Sequence, residues 1–120
     1  QRIDPAGYGE PKAQFENVKK RLEAAPFTQV FGLKGYRPKH SVVDVIWTGI
    51  RSNGEFFYFK CALAPGDPPQ VGIVVPLCDV RYYSEKEDLS VAYRYSNHEL
   101  QRWREIDDAI WKKLTSWRVK

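Results

Sequence analysis

The sequence predicts an α+β fold: a curved antiparallel sheet of four to five strands, an N-terminal helix, and a Trp-rich C-terminal helix packed on one sheet face. Three observations lead to this class. Apolar residues recur at helical spacing near both ends of the chain, strand-like segments fill its middle, and an Asn53-Gly54 pair joins two of them. A chain of 120 residues, 42% of them hydrophobic, is long enough to bury one core. We therefore expect a single domain over residues 11–120, preceded by a flexible arm over residues 1–10.

The N-terminal helix is predicted over residues 11–25. Pro11 suits the first turn of a helix, apolar residues then recur every three or four positions, and Pro26 ends the pattern. The following segment, residues 27–39, mixes large apolar residues with two glycines and a proline. It is predicted as a bent or briefly helical segment rather than as part of the sheet.

The centre of the chain predicts the strands. Its segments are rich in β-branched and aromatic residues, and Asn53-Gly54 is a strong hairpin signal because glycine and asparagine accept positive φ. Pro76 interrupts a ladder, so the segment after it is either a separate strand or a continuation. The predicted strands are residues 41–50, 55–63, 71–77, 78–83 and 89–95.

The C-terminal helix is predicted over residues 97–118. Ser96 and Glu99 form a capping-box pattern at its start. A broad apolar stripe follows at helical spacing and contains three of the four tryptophans. We expect this stripe to pack on the sheet. Its members are Leu100, Trp103, Ile106, Ile110, Trp111, Leu114 and Trp117.

The charge balance is mildly basic. The chain carries 19 Lys and Arg against 15 Asp and Glu, for a net charge of +4. Such a balance suits an anionic partner, but an ordinary solvated surface is the favoured interpretation. No apolar run approaches the ~18 residues that a spanning helix needs, so membrane insertion is not expected.

Motifs that carry chemistry are absent from the sequence. Its two histidines and two cysteines do not have the spacing of a metal site, and no glycine-rich phosphate loop or nucleophile elbow occurs. We expect no cofactor and no metal. This pattern favours a non-catalytic protein, although small enzymes can also lack local motifs.

An aromatic and basic set of residues is the main candidate site. A hairpin loop with an even number of residues places Trp47 on the same sheet face as Phe56, Tyr58 and Lys60. Such a face suits a protein partner or a second copy of the chain, which is the favoured interpretation. Single-stranded nucleic acid and simple core packing are the alternatives. The candidate partner-binding residues are Trp47, Phe56, Tyr58, Lys60, Arg81, Tyr82 and Arg94.

Two carboxylates stand among apolar neighbours. Asp44 lies in a predicted strand, and Asp107 lies in the stripe of the C-terminal helix. If both face a cup between the sheet and the helix, they suit acid–base catalysis or small-molecule binding. Alternatively, Asp107 forms a structural ion pair with an arginine such as Arg81 or Arg94.

The cysteines and the first residue bear on localisation. If residues 71–80 pair with residues 55–64, Cys61 and Cys78 share a face but lie ~13 Å apart, too far for a disulfide. Free thiols would favour a soluble, cytoplasmic protein. Residue 1 is Gln rather than Met, so we expect either a domain of a longer protein or a processed chain.

Overall fold

The computed structural model describes residues 22, 25–39, 41, 43–68, 70, 72 and 76–118. Within these residues the chain forms one six-stranded antiparallel sheet, in which each strand pairs with its neighbour in the sequence. A 3₁₀ helix and an α-helix follow the last strand. The elements are β1 (Thr28–Val30), β2 (Leu33–Tyr36), β3 (Asp44–Ile50), β4 (Phe56–Ala62), β5 (Leu77–Ser84), β6 (Leu89–Ser96), the 3₁₀ helix Asn97–Arg102 and α1 (Trp103–Arg118).

The predicted fold class is wrong in its number of strands, which is six rather than four to five. The additional pairing comes from residues 27–39, which form the β1–β2 hairpin instead of a bent segment. Phe31 and Gly32 have φ values of 56° and 78°, the positive values that a two-residue hairpin turn requires. Positive φ is uncommon for a large aromatic residue, so the sequence pattern does not predict this turn.

The described residues contain no N-terminal helix, and α1 is the single α-helix among them. Of the predicted helix over residues 11–25, only Leu22 and Ala25 are described. Leu22 is buried and forms an isolated antiparallel bridge with Pro38. The rest of that helix and the predicted arm, residues 1–10, lie outside the described residues.

The predicted hairpin around Asn53-Gly54 is present, but its loop has an odd number of residues. The backbone N–H of Arg51 donates to the carbonyl of Glu55 at 2.8 Å, which closes a three-residue loop over residues 52–54. Gly54 takes a φ of 90° at the last loop position, where the chain needs the left-handed region. An odd loop shifts the register by one residue relative to an even one.

This shift reverses which residues share a face. Trp47 pairs with Phe59, and side chains alternate along each strand. Trp47 therefore lies on the opposite face of the sheet from the even-numbered residues of β4, and the predicted grouping is wrong. Those residues are Phe56, Tyr58, Lys60 and Ala62.

The core lies between α1 and the face of the sheet that carries Trp47, here called the helix-covered face. Trp103 packs on Phe57 with ring centroids 5.5 Å apart, and Trp111 meets the edge of Tyr82 at 6.2 Å. The predicted packing of the C-terminal helix on one sheet face is present for Trp103 and Trp111, but the prediction is wrong for Trp117, which is 59% exposed. The opposite face of the sheet is called the second face below.

A disulfide joins β4 to β5 where their ladder is short. Only two residue pairs are in register, Lys60 with Asp79 and Cys61 with Cys78. The paired cysteines are bonded, with their Cα atoms 3.9 Å apart. The prediction of unpaired cysteines is wrong because β5 begins at Leu77, and the argument for a cytoplasmic protein loses its basis.

The start of the C-terminal helical region is held by two polar residues. The hydroxyl of Ser96 accepts from the N–H of His98 at 3.2 Å and caps the 3₁₀ helix. The predicted capping box would use the N–H of Glu99 instead, and the Glu99 carboxylate accepts from Arg102 at 3.0 Å. The side-chain amide of the buried Asn97 donates to the carbonyl of Leu63 at 3.1 Å. No helix in this described part of the chain is long and apolar enough to cross a membrane.

Candidate binding surface

Two of the predicted partner-binding residues are buried in the core. Trp47 is 0% exposed and Tyr82 is 2% exposed, and both lie on the helix-covered face. Neither side chain can meet a partner while α1 stays in place. Tyr82 and Arg81 are consecutive in β5, so alternation places them on opposite faces of the sheet.

The other five predicted residues lie on the second face, which is not uniformly open. Thr48 and Tyr83 on this face are buried. Phe56 and Tyr58 are half-buried and make contacts of their own. Ile50 and Lys34 on this face are exposed. A second exposed area lies at the other end of β4 and in β5 and β6.

Three cations lie in this area together with one carboxylate and one leucine, and we call the five residues the basic patch. They are Lys60, Arg81, Arg94, Asp79 and Leu77. Lys60 pairs with Asp79 across β4 and β5, and Asp79 pairs with Arg94 across β5 and β6. Residues paired in this way have Cβ atoms about 5 Å apart. Arg81 follows Asp79 by two residues on the same face. Leu77, also on this face, is 42% exposed.

The cations of the basic patch retain donors for a ligand. Arg81 and Arg94 lie near the Asp79 carboxylate with N–O distances of 3.5 and 3.9 Å, which are too long for hydrogen bonds. Their side chains are 55% and 62% exposed. Three cations beside one carboxylate make the patch net positive, and its guanidinium N–H groups face solvent.

The structure does not bring Asp44 and Asp107 together. Asp107 is 1% exposed and lies on the side of α1 that packs against the helix-covered face. Asp44 is half-buried and belongs to the second face, where its backbone N–H donates to the Ser41 hydroxyl at 3.0 Å. A cup between the sheet and α1 would contain one of these two carboxylates.

Asp107 is held by two hydrogen bonds in the core. Its Oδ2 accepts from Nε of Arg51 at 2.8 Å, and its Oδ1 accepts from the Tyr93 hydroxyl at 2.8 Å. The predicted ion pair of Asp107 is therefore present, but its partner is Arg51 rather than Arg81 or Arg94. The Arg51 guanidinium also lies 4.5 Å from the ring centre of Trp111, a cation–π contact.

The electrostatics of this cluster favour its charged ion pair. Burial alone would lower the pKa of Arg51, but the hydrogen bond and charge of Asp107 raise it above its usual value. Burial raises the pKa of Tyr93, and the negative charge of Asp107 raises it further. Tyr93 therefore stays protonated and donates to the carboxylate. This arrangement is that of a structural cluster joining α1 to the sheet.

Glu55 forms a second ion pair with Arg51. Its Oε1 accepts from Nη1 of Arg51 at 2.9 Å and from the Ser84 hydroxyl at 2.7 Å. Burial alone would raise the pKa of Glu55, but hydrogen bonds from Ser84 and Asn53 lower it below the usual value. The guanidinium of Arg51 is thus bound between two carboxylates.

Sequence reasoning missed Leu77 and Asp79 in the basic patch and Arg51 in the buried cluster. The alternation of polar with apolar residues along β5 identifies the first two, because Leu77, Asp79 and Arg81 must share a face. No local pattern identifies Arg51, because its partner is 56 residues away.

Neither a metal site among the described residues nor a related protein indicates the function. Within the described ranges, no three His, Cys, Asp or Glu side chains are grouped so as to hold a metal ion. Comparison with protein-family models, with curated proteins and with solved structures gives no match.

Proposed function

We propose that the chain is a non-catalytic binding module that holds an acidic segment of a partner protein on the basic patch. The observation that carries this proposal is the concentration of Lys60, Arg81 and Arg94 around a single carboxylate on an exposed part of the sheet. Complementary charge accelerates association and selects against wrongly charged partners.

The surroundings of the cations favour a protein as the ligand. Leu77 is 42% exposed and shares the face with Arg81. Protein interfaces combine apolar contacts with arginine, which is enriched among the residues that contribute most to binding. An acidic segment with an apolar side chain would use both features.

The charge of the patch disfavours a second copy of the chain as the partner. In a two-fold dimer the same patch contacts itself. Here that contact would place Lys60, Arg81 and Arg94 of one copy against those of the other, and like charges at an interface are unfavourable. A different, acidic protein fits the patch better.

Single-stranded nucleic acid is supported less well. Proteins that bind it combine cations with aromatic rings on which the bases stack. Trp47 and Tyr82, which the sequence offered for that role, are buried under α1. Tyr58, whose ring shares the second face with Lys60, is half-buried and makes contacts of its own.

The test uses a fluorescein-labelled peptide rich in glutamate with a central leucine, followed by fluorescence anisotropy. Reversal of the patch charges in the triple variant K60E/R81E/R94E should weaken binding about tenfold or more. The matched control R104E/K112E/K113E changes the net charge equally on the exposed surface of α1 and should retain most of the affinity. Wild-type affinity should also fall as salt rises.

Three outcomes would overturn the proposal. Equal losses in both triple variants would mean that the peptide senses net charge and not the patch. Tighter, patch-dependent binding of an oligothymidylate than of the peptide would indicate a nucleic-acid module. A dimer that light scattering detects in the wild-type chain and not in K60E/R81E/R94E would assign the patch to a second copy.

A further inference from the structure

A cavity beside the ends of β3 and β4 has no role in the proposed protein interface. Its volume is about 300 Å³, at the lower end of the range of small-molecule pockets. Among the described residues, two apolar and four polar ones line it. They are Leu63, Pro68, Arg37, Ser41, Asp67 and Gln70.

Arg37 is fixed in the wall of this cavity. Its Nη2 donates to Oδ1 of Asp67 at 2.7 Å. Its guanidinium also lies 4.3 Å from the ring centre of Phe27. These two contacts orient the guanidinium, and its other N–H groups have no acceptor among the described residues.

Asp67 is already engaged as an acceptor. Its Oδ2 accepts from the backbone N–H of Ala64 at 2.8 Å, while its Oδ1 accepts from Arg37. The ion pair is therefore neutral as a whole. Asp67 repels a doubly charged anion about twice as strongly as a singly charged one, and a singly charged carboxylate can use the remaining N–H groups of Arg37.

Ser41 adds a second donor. Its Oγ accepts from the backbone N–H groups of Val43 at 3.2 Å and of Asp44 at 3.0 Å. Both bonds use oxygen lone pairs, so the hydroxyl hydrogen remains to be donated. The cavity thus offers donors from Arg37, Ser41 and the amide of Gln70.

Leu63 forms an apolar wall in a constrained conformation. Its φ is 64°, in the left-handed region that a leucine rarely adopts. Hydrogen bonds hold it there, from its own N–H to the carbonyl of Val43 at 2.8 Å and from Asn97 to its carbonyl at 3.1 Å. Such strained residues cluster at ligand sites.

We propose that this cavity binds the carboxylate of a monoanion that carries a short apolar group. The carboxylate would lie against Arg37 and Ser41, and the apolar group against Leu63 and Pro68. A free carboxylic acid and the C-terminus of a peptide share this chemistry. The site is separate from the basic patch, so either proposal can fail alone.

The experiment follows backbone amide NMR signals of the ¹⁵N-labelled chain during titration with 4-methylpentanoate. Saturable shifts are expected at residues around the cavity, and 4-methylpentanamide should bind about tenfold more weakly or not at all. A dipeptide ending in leucine, compared with its C-terminal amide, distinguishes the two sources. Tighter binding of the dipeptide assigns a peptide terminus, and tighter binding of 4-methylpentanoate assigns a free acid.

Variants test the role of Arg37. Arg37→Gln should abolish the shifts, whereas the control Arg104→Gln, which removes another arginine stacked on an aromatic ring, should leave them unchanged. If Arg37→Gln does not fold, Arg37→Lys keeps the charge and should weaken binding severalfold. Equal binding of the acid and the amide, no saturable shift with any carboxylate, or full binding by folded Arg37→Gln would overturn the proposal.

Discussion

Arg51 joins parts of the molecule that are distant in the sequence. It is 5% exposed, donates to Asp107 of α1, and donates to Glu55 across the hairpin loop. Removal of one partner from such a buried cluster leaves a charge that water cannot solvate. The stability of the contact between α1 and the β3–β4 hairpin therefore depends on keeping both carboxylates.

Asp107→Asn should lower the free energy of unfolding by about 3–5 kcal/mol, because Arg51 loses the more deeply buried of its two carboxylate partners. Urea unfolding followed by circular dichroism measures the change. Asp108→Asn is the matched control. Asp108 is exposed and accepts from the Ser52 hydroxyl at 3.0 Å, so its loss should cost about 0.5 kcal/mol or less.

Equal effects of the two substitutions would contradict a structural role for the buried pair. A second comparison uses the double variant Arg51→Met/Asp107→Leu. Replacing both charged groups with apolar ones should recover part of the stability that Asp107→Asn loses, because neither Arg51 nor Asp107 is then buried without its partner. Glu55 loses Arg51 but keeps its hydrogen bonds from Ser84 and Asn53.

At the scale of elements, close packing between strands and α1 requires a small residue at Gly49. A Cβ atom there would lie 2.7 Å from Cδ2 of Leu33 and 3.5 Å from the Trp103 ring. Leu33 is 1% exposed and has little room to move. The glycine allows β2, β3 and α1 to meet at this point.

Gly49→Ala should destabilise the protein by about 1–3 kcal/mol, since the added methyl group overpacks the core. Thermal melting of the variant measures the effect. In a Leu33→Val background the same substitution should cost less, because the obstructing methyl group is gone. An unchanged or higher melting temperature for Gly49→Ala alone would contradict this account.

The elements also show how far local patterns predict the fold. Alternation in β6 and the stripe of α1 are visible in the sequence because each has a single buried face. The turn at Phe31 is not visible, because a contact distant in the sequence stabilises it: Trp103 donates its indole N–H to the Phe31 carbonyl at 2.7 Å. Local residue propensities do not predict such a contact.

The candidate surface was predicted in part for the same reason. Lys60, Arg81 and Arg94 were in the predicted set and do meet on one face. Trp47 was assigned to the wrong face because the loop over residues 52–54 has an odd length, and the Asn53-Gly54 signal does not fix that length. A register shift of one residue moves every side chain of a strand to the opposite face of the sheet.

At the scale of the whole molecule, the sheet consists of two parts joined at a narrow place. The β3–β4 and β5–β6 ladders contain seven and eight pairs, whereas β4 and β5 share two. The Cys61–Cys78 disulfide lies at this joint and is fully buried. The helix α1 contacts both parts, through Phe57 of β4 and Tyr82 of β5.

Loss of the disulfide should lower the free energy of unfolding by about 3 kcal/mol. The bond joins residues 17 positions apart, and this value is the entropic cost of closing a loop of that length in the unfolded chain. Urea unfolding of the wild-type chain with and without reductant measures it. The double variant Cys61→Ala/Cys78→Ala is the control and should not respond to reductant. Identical wild-type curves in both conditions would show that the bond contributes nothing.

The disulfide also gives the covalent chain a different topology. Residues 61–78 form a closed ring from which two tails extend, and complete unfolding does not open it. Any machine that draws a polypeptide through a narrow pore in single file would meet two chain segments side by side at this ring. The oxidised protein therefore cannot pass such a pore, so threading must come before the cysteines are joined or after they are separated.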